Sequence, residues 1–122
     1  MKKTINLTLG NEEVKFIIDF TPYTIIFFEK SFDSDFFKEL GNVYNYLSEE
    51  HYNFSKLVVS LLKLLYATTE GNRKSESFED FMKGIDGRLL LNRKNIGILI
   101  NEMNDLVKVS DDTSPQEEGS RE

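Results

Sequence analysis

The sequence predicts an α+β fold that is mostly α: an N-terminal β-hairpin followed by about five short-to-medium helices packed on one core. Three observations carry this. Two runs near the N-terminus alternate apolar and polar residues with period two. Most of the remaining chain repeats its apolar residues at helical spacing. The segments are separated by short polar stretches rich in cap and turn residues. At 122 residues the chain suits one domain.

The hairpin comes first. Ile5, Leu7 and Leu9 alternate with Thr4, Asn6 and Thr8, and Val14, Phe16, Ile18 and Phe20 repeat the pattern opposite Lys15 and Asp19. Ile17 is the one apolar residue on the polar side. Gly10-Asn11-Glu12-Glu13 joins the two runs, so the pair reads as a hairpin with one wet and one buried face.

Thr21-Pro22 then opens a helix to about Lys30, because a hydroxyl cap followed by proline suits the first helical turn. Its Tyr23, Ile25, Ile26, Phe27 and Phe28 leave almost no polar face, so it is either wholly covered or a strand. Asp33 or Ser34 can cap a second helix bearing Phe36, Phe37, Leu40, Val43, Tyr44 and Leu47. A third, Phe54 to Ala67, carries the broad stripe Leu57, Val58, Leu61, Leu62 and Leu65 and reads as the central helix.

Residues 68–77 (TTEGNRKSES) read as a polar loop tolerant of change. Ser77, with Asp80 three residues on, caps a short helix of Phe78, Phe81, Met82 and Ile85 that Gly84 and Gly87 end. The last helix, about Asn92 to Lys108, places Ile96, Leu99, Ile100, Met103, Leu106 and Val107 on one side and Asn101, Glu102, Asn104 and Asp105 on the other. Residues 1–109 thus form one domain. From Ser110 onward SDDTSPQEEGSRE has no large apolar residue to offset the entropy of ordering, and it reads as an acidic disordered tail.

Charge narrows the partners. The formal net charge is −6, and Asp111, Asp112, Glu117, Glu118 and Glu122 against Arg121 place −4 of it in the tail. The body is left near −2, too weak a field to steer nucleic acid. Arg93, Lys94 and Asn95 could begin a recognition helix, yet Glu102 and Asp105 further along it would face phosphate with negative charge.

The catalytic inventory is thin. Cysteine is absent and His51 is the only histidine, which removes thiolate chemistry, thiolate metal sites and the usual triads. No phosphate-binding glycine motif occurs. Asp33-Ser34-Asp35 lacks any calcium-loop continuation and suits a helix start. The chain therefore reads as non-enzymatic, with no cofactor and no metal. No apolar run approaches the ~20 residues of a membrane span. The N-terminus lacks the apolar core of a signal peptide, and a cytoplasmic location is the expectation.

The distinctive feature is aromatic. Of ten Phe and five Tyr, all but Tyr66, Phe78 and Phe81 lie between Phe16 and Phe54. Each buries on the order of 150–250 Å², more than one side of a small core readily encloses. The sequence alone leaves two readings: a core built from Phe in place of Leu, or a contact surface. For the second, Tyr23, Phe27, Phe28, Tyr44, Tyr46 and Tyr52 are the candidate protein-interaction residues. A lone hairpin also has two unpaired edges that helices or another chain must cover.

In order and texture, the segments KKTINLTLGNEEVKFIIDF, TPYTIIFFEK, FSKLVVSLLKLLYAT and NIGILINEMNDLVK, with an acidic tail after them, resemble the tail assembly chaperones of long-tailed, siphovirus-type bacteriophages of low-GC Gram-positive hosts. The resemblance spans roughly residues 1 to 109 and rests on no diagnostic motif. It implies a non-catalytic protein of the host cytoplasm that coats the long helical tape measure protein and keeps it soluble until the tail tube assembles. The major tail protein and a second copy of the chain are further implied partners. A longer, frameshifted product is implied as well. The alternative is a small regulatory or inhibitory protein-binding module of phage origin.

Overall fold

The computed structural model describes residues 2–50, 53–73 and 76–108. Strands β1 (Lys2–Leu9) and β2 (Glu12–Asp19) form the hairpin, in register from Lys2 opposite Asp19 to Leu9 opposite Glu12. Only two residues link them. Gly10 takes φ +64° while Asn11 does not enter positive φ, the arrangement of a type II′ turn, which needs glycine at its first central position. Ile5, Leu7 and Ile18 are fully buried, and Ile17 is 56% exposed on the opposite face.

Among the described residues, five α-helices come after the hairpin: α1 (Pro22–Phe32), α2 (Phe36–Ser48), α3 (Phe54–Thr68), α4 (Phe78–Lys83) and α5 (Arg93–Val107). A 3₁₀ helix over Gly87–Leu91 precedes α5. The expected α+β, mostly α architecture is thus what forms. Helix α1 is a helix and not a strand, with the Thr21 N–H donating to Thr24 Oγ1 at 3.0 Å.

Two caps differ from expectation. Asp33 closes α1, in the left-handed region at φ 52°, which Asp tolerates through its short polar side chain. Asp35 opens α2, its carboxylate accepting the Lys38 N–H at 3.0 Å. Ser77 and Asn53 cap α4 and α3 in the same way, accepting the N–H of Asp80 and of Lys56. Gly87 ends nothing; it begins the 3₁₀ helix that Asp86 caps through the Arg88 N–H.

Helix α3 is central, as its broad stripe requires. It packs against α1, α2, α4, α5 and β2, with Leu57, Leu61, Leu64, Leu65 and Ala67 buried along it. Helix α5 lies along β1. Asn95 is fully buried there, and its side-chain amide accepts the Thr8 N–H and donates to the Thr8 carbonyl. One amide thereby pairs the outward edge of β1 as a neighbouring strand would. Lys3, 2.7 Å from Glu102 and 3.7 Å from Asp105, ties the far end of β1 to the same helix. On the other edge, Ile18 forms an isolated antiparallel bridge with Thr69.

The described part of the 68–77 stretch is not the permissive loop its composition suggests. Asn72 is buried, and the Arg73 guanidinium, 6% exposed, pairs with Asp19, 9% exposed. Arg73 also donates to Thr24 and to the Ala67 carbonyl. Asp19 therefore does not face water as the alternation implied. An ion pair enclosed this far needs further hydrogen bonds to offset its desolvation, and these two bonds occupy both donors of one guanidinium nitrogen.

Candidate functional site

The aromatic surplus resolves mostly into core. Phe16 stacks on Phe81, Phe81 on Tyr66, Tyr66 on Phe78 and Phe32, Phe32 on Phe28, and Phe28 on Phe36, with centroids 4.9–6.5 Å apart. Phe20, Phe37, Phe27 and Tyr23 extend the same network. Edge and tilted ring pairs of this kind add roughly 0.5–1.5 kcal/mol each beyond the area they bury. Burial also pushes the Tyr66 hydroxyl above its ordinary pKa of 10.0, aided by the negative charge of Glu76.

The six candidate interaction residues scatter. Phe28 is fully buried and offers no surface in this fold. Phe27 is half-buried against Tyr66, and Tyr23, 49% exposed, packs on Phe27 at the network's outer end. Tyr44 and Tyr46 fall on different faces of α2: Tyr44 is exposed, and Tyr46 is half-buried beside Lys56 and Val59. Tyr52 lies outside the described residues, as do His51 and the acidic tail. Among the described residues, the only ring pair within this set is Tyr23 with Phe27.

A different surface emerges instead. The end of α2, the start of α3, the 3₁₀ helix and the first turns of α5 enclose a groove of ≈ 540 Å³. Its walls are Leu47, Phe54, Leu57, Leu90, Leu91, Ile96 and Ile100, with Gly97 in the wall and Arg93 as the one charge. Leu57 and Ile96 are its buried base. Leu47, Phe54 and Leu91 stand exposed on its rim, Leu91 by 72%. Phe37 and Tyr44, also exposed, continue the apolar surface along α2 at helical spacing from Leu47.

The local sequence explains why. A 3₁₀ helix turns once every three residues. Leu89, Leu90 and Leu91 therefore cannot all face one core, and the third is left outside. That consecutive leucine run was the available signal for this surface, and counting aromatics passed over it. A second cleft of ≈ 370 Å³ lies between β2 and α4, lined by Val14, Phe16, Phe81 and Ile85 and rimmed by Glu12, Glu76 and Asp86.

Chemistry remains sparse. Among the described residues no three His, Cys, Asp or Glu side chains are grouped to hold a metal ion. No described helix is long and apolar enough to cross a membrane. Asn95, placed by the sequence at the start of a nucleic-acid-reading helix, instead points into the hairpin and cannot reach a base edge. The chain matches no family model, and no curated protein or solved structure matches it significantly.

Proposed function

We propose that this protein is a non-catalytic binding module that shields an apolar helical segment of another protein. One observation carries the reading: a groove walled by seven apolar side chains, three of them exposed on its rim. Apolar grooves between helices accept the i, i+3, i+4, i+7 ridge of an amphipathic partner. Exposed apolar area of that kind marks interaction sites more often than it occurs by chance.

The resemblance to phage tail assembly chaperones gives this activity a specific form. The tape measure protein is long and helical, it needs protection until the tail tube surrounds it, and a module of this shape in the host cytoplasm would supply that protection. Co-expression with a phage tape measure protein tests the role. The expected outcome is a stable complex and a larger soluble fraction of the partner. Absence of both removes the chaperone role.

A further inference from the structure

We infer that the groove takes a partner α-helix whose apolar ridge is flanked by carboxylates, crossing closely over Gly97 with its acidic flank against Arg93 and Lys94. This rests on the helix-binding reading above and specifies the partner's chemistry.

The glycines give the first argument. Gly41 and Gly97 sit inside α2 and α5, where glycine is less favourable than alanine. An ideal Cβ at either position would meet nothing within 4 Å. No neighbour in the chain therefore requires the missing methyl group. Gly97 lines the groove, and Gly41 lies between Phe37 and Tyr44 on the exposed stripe of α2. Backbone left bare on the outside of a helix admits close approach by a second backbone.

The shape gives the second. The apolar surface does not end at the groove but runs on through Leu47, Tyr44 and Phe37, about 15 Å along α2 at 1.5 Å per residue. That elongated, open form fits a helix of several turns better than an enclosed small molecule, which would be largely surrounded.

Charge gives the third. Arg93 stands in the groove wall and Lys94 is next to it in the chain, both exposed, and among the described residues neither is in an ion pair. The cleft between β2 and α4 is rimmed instead by Glu12, Glu76 and Asp86. A helix with acidic flanks is attracted to the first site and repelled from the second, so charge selects between two apolar surfaces on one molecule. In a symmetric contact, a second copy of the chain would bring Arg93 and Lys94 against themselves, which disfavours it as the occupant.

The test uses the full chain and two amphipathic peptides of about 18 residues, long enough to hold helix. They share one Leu/Ala ridge; one is flanked by Glu and the other by Lys. Fluorescence anisotropy at low salt should show the Glu-flanked peptide binding about tenfold tighter or more, with the gap shrinking as salt rises. The double variant Arg93→Glu, Lys94→Glu should reverse the preference. Gly97→Leu should weaken the Glu-flanked peptide about tenfold or more while circular dichroism stays unchanged and the melting temperature does not fall, since a Cβ there meets open space and glycine is the poorer helix former.

Equal binding of the two peptides, with no effect of the charge reversal, overturns the inference and leaves the helix-binding reading standing. Binding untouched by Gly97→Leu also overturns it. If neither peptide binds, the helix-binding reading itself falls; laurate binding in that case assigns the groove to an acyl chain. A concentration-dependent dimer of the wild type that Gly97→Leu dissociates would name a second copy as the occupant and overturn the inference.

Discussion

The side of the molecule where β2, α1 and α4 meet α3 and the side where α2, the 3₁₀ helix and α5 meet it draw on similar apolar residues but finish differently. On the first, rings from β2, α1, α3 and α4 interlock, and an arginine from the connecting loop pairs with the buried Asp19. On the second, Leu47, Phe54 and Leu91 reach the edge of the core and stop in water. Most of the aromatic rings therefore line the interior, while the bare surface mixes exposed leucines with a few rings such as Phe54 and Tyr44. A large side chain signals contact only where its own fold leaves it without neighbours.

The contrast can be broken most forcefully on the closed side. Arg73→Met should strand a buried Asp19 carboxylate and cost about 3–5 kcal/mol in urea unfolding. Asn95→Leu comes next. It leaves the Thr8 N–H and the carbonyls of Thr8 and Leu89 without their partner, a loss of roughly 2–3 kcal/mol by the same measurement.

Tyr66 sharpens the comparison through pH. Its pKa is raised in the fold above 10.0, so the unfolded chain releases this proton first. The Tyr66 contribution to stability should be constant below pH 10 and fall as pH climbs from there through the raised folded value. Thermal melts of the wild type and of Tyr66→Phe should show this alkaline slope reduced in the variant. The variant should also lose about 1 kcal/mol at neutral pH, because the Tyr66 hydroxyl donates to the Glu76 carbonyl.

The smallest change in stability belongs to the open side. Leu91→Ser and Phe54→Ser should alter unfolding by only about 0.5 kcal/mol, since neither side chain is enclosed. They should nevertheless weaken capture of a helical partner in a pull-down. A large destabilisation from Leu91→Ser would place it in the core and erase the distinction between the two sides.

Most of the fold was legible because its signals are local. Period-two alternation marked both strands, Thr21-Pro22 and Ser77 marked two helix starts, and the leucine stripe of α3 marked the centre. What escaped depends on residues far apart in sequence. Asp19 looked solvent-facing by alternation, and TTEGNRKSES looked permissive by composition, yet they meet across 54 positions as Asp19 and Arg73. Asp33 looked like a cap and is one, at the opposite end of the preceding helix. The candidate surface was largely illegible, because exposure is set by which neighbours arrive, and Phe28 and Tyr44 look alike until they do.

Asn95 also bears on the order of synthesis. The amide that completes the edge of β1 lies 87 positions downstream of Thr8, and a two-stranded hairpin alone is marginal. On a ribosome the hairpin is therefore made well before the residue that secures its outer edge, and Thr8 waits unpaired there until α5 emerges. Ile5 and Leu7 spend that interval in reach of other nascent chains, and a chain halted before Asn95 would keep them there.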